Sequence, residues 1–246
     1  ARIRKGDIGN VELATILSRD PSPPPVEYVK GSGGLFRDMM IHDFDMARFL
    51  VGEEFVVVHA FGSALVDRAI GEAGDIDTAS VQMQTASGKI AVITNSRRAT
   101  YGYDQRMEVH GSLGAVSAEN QRPVSIEVAT AAGYTRPPLH DFFMTRYTDA
   151  YAAEIPQFIP AWVGKGTAGP PGADGLIALA LADAALRSFP TPEAVHATLA
   201  YRRFSDRLRR AQLAPDAIGN HGVLGGPMTR CWSRRSAHSR PAVPAV

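Results

Sequence analysis

Apolar and polar positions change period twice along the chain. Residues 10–19 alternate imperfectly, as a strand does, and end at Asp20-Pro21-Ser22-Pro23-Pro24-Pro25, where three consecutive prolines exclude helix and make a stiff extended loop. After the flexible run Gly31-Ser32-Gly33-Gly34, apolar residues at 36, 39, 40, 44, 47 and 50 predict a helix over 35–50 with one apolar face, stopped by Gly52. From Phe55 the period falls to two. Ala79, Val81, Met83 and Thr85 alternate with polar neighbours, Ser87-Gly88 turns, and 90–95 returns, which predicts an antiparallel hairpin. Residues 106–110 and 115–119 repeat the pattern across a four-residue connection, and Val124, Ile126 and Val128 predict one more strand. Helical spacing resumes at 141–163 and at 172–188, with Asp174 placed to favour the second helix's N-terminus.

Five or six mostly consecutive strands need no helical crossovers and imply an antiparallel sheet. The expected class is therefore α+β, a mostly antiparallel open sheet with helices packed on one face. At 246 residues the chain is long enough for one large domain, or a domain plus an appendage, with a real core. Residues 1–188 form the expected domain. The stretch 189–246 loses periodicity apart from a possible basic helix at 201–213 and reads as an atypical, partly disordered basic tail.

Charge sharpens that division. The net +1 hides +6 on 189–246, from nine arginines and no lysine against Glu193, Asp206 and Asp216, and −5 on the rest. Such a tail could bind an anionic surface, but it lacks interleaved aromatics or a nucleic-acid module, so no nucleic-acid partner is expected. Its Arg-rich, aperiodic character is what a frame-shifted reading of GC-rich DNA would give. The opening Ala1-Arg2-Ile3-Arg4-Lys5-Gly6 reads as the last turns of a helix, which suggests a chain truncated at its N-terminus. One cysteine, Cys231, excludes an intramolecular disulfide framework and any Cys-based metal site. No apolar run of about 18 residues exists, so no membrane span is indicated, and a cytoplasmic protein is expected.

Chemistry concentrates in residues 33–46. On a continuous helix Asp38 and His42, at i and i+4, point the same way. A carboxylate beside an imidazole suits general acid/base work near neutral pH. A structural Asp/His pair on a half-buried helix fits the same spacing, and so does a divalent-metal site from Asp38, His42 and Asp45 serving a lyase or isomerase. Spacing alone leaves these open.

Three segments resemble one family. Ile8-Gly9 through Ser18-Arg19-Asp20-Pro21, with the run from Ser32 through Asp38, His42 and Asp45 to Arg48, is similar to the C-terminal half of the Gfo/Idh/MocA oxidoreductases of the inositol 2-dehydrogenase type. Ala99-Thr100-Tyr101-Gly102-Tyr103-Asp104-Gln105-Arg106 resembles that subgroup's substrate loop, and Asp174-Gly175-Leu176 onward resembles its closing helix. The resemblance covers about residues 1–188. It implies an NAD-dependent enzyme of inositol catabolism with an N-terminal Rossmann domain, and a C-terminal domain whose sheet face makes a homo-oligomer. His42 would be the acid/base for the reacting hydroxyl, and Asp38 would hold hydroxyls and imidazole in register. Tyr101, and less strongly Asp20, would contact the polyol, most readily myo-inositol. From residue type alone Tyr101 could equally be a packing aromatic and Asp20 a turn initiator.

The departures bound this expectation. No Gly-x-Gly-x-x-Gly follows a strand, so the dinucleotide loop is absent, and cofactor-binding residues stay unassigned. None of Lys5, Lys30, Lys89 and Lys165 sits in the family's Glu-Lys-Pro context. The chain alone is expected to be inactive and to need no metal. The competing expectation is a stand-alone, non-enzymatic α+β domain that binds a sugar or a protein partner through its sheet face.

Overall fold

The computed structural model describes residues 1–166, 169–191 and 193–197. The predicted basic helix at 201–213 and nearly all of the 189–246 tail lie outside the described residues. Among the described residues a single turn of 3-10 helix, Ile3–Lys5, leads into nine strands and seven α-helices.

Seven strands form one sheet in the order β6-β5-β1-β4-β3-β2-β9. Their ranges are β1 Val11–Arg19, β2 Phe55–Ser63, β3 Thr78–Thr85, β4 Ile90–Ser96, β5 Asp104–Gly111, β6 Gly114–Ala118 and β9 Val195–His196. Every pair is antiparallel except β1 with β4, so the sheet is mostly antiparallel as expected. The β3–β4 hairpin turns at Ser87-Gly88, as predicted, while β5 and β6 are joined by two residues rather than four. Strand β9 pairs with β2 at Val57 and Val58, which carries the body past Ser188 to at least the buried Ala197.

Alternation sets two faces. Ala14 and Ile16 of β1, Val58 and Ala60 of β2, Val81 and Met83 of β3, and Ala91 and Ile93 of β4 point inward. Two helices cover that face, α3 Met40–Val51 and α7 Gly172–Ser188. Phe44, fully buried, anchors α3, and full burial of such a side chain stabilises by about 1.5–3 kcal/mol. The Ser188 hydroxyl at the end of α7 accepts the Ala60 N–H at 3.1 Å, tying the helix to β2. The opposite face remains open, with Leu13, Phe61 and Ile90 exposed.

Three expectations change. The helix predicted over 35–50 is two, α2 Leu35–Asp38 and α3, separated by a turn at Met39, whose φ of −106° and ψ of −57° stay right-handed and whose N–H still donates to the Leu35 carbonyl at 3.0 Å. Residues 124–127 form no strand; β7 Val128–Thr130 and β8 Gly133–Thr135 make a separate two-stranded ribbon whose apolar residues are exposed. The helix predicted over 141–163 is also two, α5 Phe143–Arg146 and α6 Thr148–Trp162, and its apolar stripe of Tyr151, Ile155 and Phe158 is exposed. Two short helices had no sequence expectation, α1 Val26–Ser32 and α4 Arg68–Glu72.

Candidate functional site

The parallel pairing of β1 with β4 decides where chemistry can gather. Parallel neighbours finish at the same edge, so the residues just past Arg19 and Ser96 emerge together, and the Asp20 N–H donates to the Ser96 carbonyl at 3.0 Å. Antiparallel β5 starts there, with Asp104 opposite Arg19. Helices α2 and α3 pass over the same edge on the covered face. The site is built from Asp20, Arg97 and Tyr103 at the strand ends and from Asp38, His42 and Asp43 on the helices.

Asp38 lies at the end of α2, where its carboxylate is held from two sides. The Arg97 guanidinium donates to Oδ2 at 3.0 Å and the Tyr28 hydroxyl of α1 donates to Oδ1 at 2.6 Å. That hydrogen bond to Asp38 also holds the Tyr28 hydroxyl above its ordinary pKa. Arg97 and Tyr28, not His42, are the hydrogen-bond partners of Asp38, and among the described residues no side-chain hydrogen bond holds His42. His42 sits on the first turn of α3 with its side chain exposed.

The next residue points the other way. Asp43 is 6% exposed and accepts from the Ser18 hydroxyl of β1 at 2.6 Å and the Asn95 amide of β4 at 2.8 Å. Burial pushes its carboxyl above the usual carboxylate range despite both hydrogen bonds. Ser18 Oγ also lies 2.8 Å from Gln105 Oε1. A hydroxyl carries one proton, so either Asp43 is protonated or the Gln105 amide presents its nitrogen here. This buried network pins the first turn of α3 to three strands and so sets the direction of His42.

Asp20 holds its proton to near neutrality. Burial raises its carboxyl to about 6, with Arg97 pulling down and Asp38 and Asp43 pushing up. Tyr103 stands in the same neighbourhood, its hydroxyl pushed up by burial and then by Tyr147, Asp20 and Asp43. Its ring meets Tyr147 edge-on at 6.2 Å. Tyr101 does not join them. Its hydroxyl accepts from Arg19 at 2.8 Å and donates to Asp104 at 2.7 Å, a cluster that Arg106 completes.

Asp45 is engaged at 3.3 Å by Arg48, which also binds Glu54 and Asp174. Among the described residues no group of three His, Cys, Asp or Glu side chains is arranged to hold a metal ion. The residues here do not fit a dinucleotide either. The glycine-rich entry at Gly33-Gly34 leads into α2, whose Leu35 N–H already donates to the Asp75 carboxylate at 3.1 Å, an anion where a phosphate would have to sit.

The sequence reading missed Asp43, Arg97 and Tyr103. For Asp43 a signal existed: it occupies the apolar stripe of Met40, Phe44 and Ala47, and a carboxylate on a buried stripe is anomalous. Arg97 gave none, since an arginine just after a strand is ordinarily a surface residue.

The comparisons place this geometry among known proteins. Residues 1–117 match the GFO/IDH/MocA C-terminal domain. The chain is 70% identical over 186 residues to inositol 2-dehydrogenase of Rhizobium meliloti, a match spanning 76% of this chain and 56% of that protein. A solved structure from Sinorhizobium meliloti 1021, described as a candidate myo-inositol dehydrogenase, superposes with a TM-score of 0.78 at 67% identity, over 80% of this chain and 60% of that one. Scyllo-inositol dehydrogenase of Lactobacillus casei, solved with NAD(H) and scyllo-inositol bound, gives 0.73 at 28% identity, over 80% and 59%. The chain thus spans little more than half the length of these relatives. It carries a C-terminal domain of the Gfo/Idh/MocA oxidoreductase family.

Proposed function

We propose that this chain supplies the substrate half of an NAD-dependent polyol dehydrogenase acting on myo-inositol, in a cytoplasmic homo-oligomer. The carrying observation is the convergence of Asp20, Asp38 and Arg97, beside an exposed His42, at the edge where the parallel strands end. The names of the relatives, inositol 2-dehydrogenase and scyllo-inositol dehydrogenase, support the substrate class.

Oxidising a secondary alcohol to a ketone removes a hydroxyl proton and a hydride from one carbon. NAD would accept the hydride, and the residues of this chain serve the proton. His42, exposed and held by no side-chain hydrogen bond among the described residues, takes the proton from the reacting hydroxyl as general base. Asp38, already oriented by Arg97 and Tyr28, keeps lone pairs free to accept neighbouring hydroxyls and fix the ring. Asp20 adds a second acid group at the same edge. The proposed polyol contact of Tyr101 rests on the family resemblance alone; the surroundings of Tyr103 and Tyr28, by contrast, include Asp20.

The test joins the full chain to the N-terminal part of the Rhizobium meliloti relative and follows NADH formation with myo-inositol. Inositol-dependent NADH formation is the expected result. A folded hybrid that binds NAD but oxidises no inositol isomer would remove the proposal and favour a binding role for the open sheet face.

A further inference from the structure

Arg97 is among the largest fully enclosed side chains of the described residues, at 2% exposure, and the reaction outlined above uses only its contact with Asp38, not its charge. Its backbone is fixed by donation to the Asp77 carbonyl at 2.8 Å. Its guanidinium reaches Asp38 at 3.0 Å and approaches Asp75 at 3.9 Å, while its Nε is buried with no partner. Removing a guanidinium from water this completely is costly unless anions compensate. Several do. Asp20 faces it from the end of β1, Asp38 from α2 and Asp75 from the segment before β3, with the Tyr28 hydroxyl of α1 also within its influence; Asp43 of α3 bears on Asp20, and His42 of α3 on Asp43, while Tyr103 before β5 stands near Asp20 and Asp43. Asp77 is engaged elsewhere, accepting the N–H groups of Leu65, Val66 and Asp67.

We propose that Arg97 is a positioning residue of the dehydrogenation: its buried guanidinium fixes the Asp38 carboxylate where polyol hydroxyls meet it and balances the acidic residues gathered at that edge. The inference rests on the functional reading above and deepens it. A carboxylate accepts hydroxyl hydrogen bonds at both oxygens, whereas a protonated carboxyl gives up one acceptor. Without Arg97, Asp20 and Asp38 would stand close with no shared cation, and Asp20, whose carboxyl Arg97 pulls down, would keep its proton further into the neutral range. Tyr28 could still orient Asp38, but a neutral hydroxyl cannot supply the charge.

The experiment compares Arg97→Met, Arg97→Lys and Tyr28→Phe in the hybrid enzyme and titrates the Asp20 carboxyl carbon by NMR in the full 246-residue chain. Arg97→Met is expected to lower kcat/KM by roughly 10- to 100-fold, the cost of a misplaced contact. Its acid limb, and the Asp20 midpoint, should move up by about one pH unit. Arg97→Lys restores the limb and leaves kcat reduced, because an ammonium lacks the planar fork. Tyr28→Phe leaves the limb in place. A Met variant matching wild type in kcat/KM and in the Asp20 midpoint overturns the proposal, as does a Lys variant that shifts the limb as far as Met. Should the Met variant not fold, the Lys variant decides, and wild-type kcat there counts against Arg97. An inactive wild-type hybrid would count against the dehydrogenase reading, and the NMR midpoint would still judge Arg97.

Discussion

Asp20 shows how one residue couples this site to stability. Its carboxyl moves from 3.8 to about 6 on folding, so the folded state holds the proton over a window where the unfolded chain has released it. The protonated form's advantage is fully present below the lower value and is lost as pH rises through the upper one. At neutral pH the ionised Asp20 therefore costs about 3 kcal/mol relative to the unfolded chain. Asp20→Asn, neutral at every pH, is expected to raise the melting temperature clearly at pH 7 and little at pH 4, as thermal denaturation at both values would show. Equal effects at the two pH values would mean that Asp20 titrates normally. The sequence brought Asp20, Asp38 and His42 to notice because turn chemistry and motif resemblance act locally. It could not reveal Arg97 or Asp43, whose surroundings come from strands distant along the chain.

At the level of elements, local pattern and long-range contact compete. Strands β1 to β5 and helix α7 were legible because alternation or helical spacing runs unbroken through them. The turn at Met39 was not, since every residue from 35 to 50 tolerates helix, nor was the partner of Asp38, since Arg97 is 59 residues away. The 141–163 region failed differently: Pro156 and Pro160 remain inside α6, while the chain breaks earlier, at Tyr147. Gly34 is the point where local conformation serves the site. It caps α2 with φ of +85°, and a Cβ there would lie 2.8 Å from Asp75 Oδ1, the atom that accepts the Leu35 N–H. Gly34→Ala is expected to destabilise by about 1–3 kcal/mol through backbone strain and this clash. Chemical denaturation would measure it, and an unchanged midpoint would show that α2 does not depend on this cap.

For the whole molecule, one covered face and one open face define the assembly problem. Helices α3 and α7 seal the inner side, and among the described residues no helix is long and apolar enough to cross a membrane. The outer side presents Leu13, Ile90 and Phe61, the last 59% exposed and tilted at 45° against His59 with ring centroids 4.6 Å apart. We expect this face to pair with a second copy, as the family resemblance implies. Phe61→Lys should then reduce the molar mass seen by light scattering while changing subunit stability by under about 0.5 kcal/mol. An unchanged mass would place any self-association elsewhere. The open-sheet class was readable from consecutive strands alone, but the parallel β1–β4 pair was not, and that pair is what brings Asp20 to Arg97.

The central claim, that this chain carries the proton-handling half of a polyol dehydrogenase, is tested most directly at His42. In the hybrid enzyme, kcat for myo-inositol oxidation would be compared between wild type and His42→Ala. Loss of the general base predicts a fall of about 100-fold or more with inositol binding largely retained. A turnover number near that of the wild type would contradict the account.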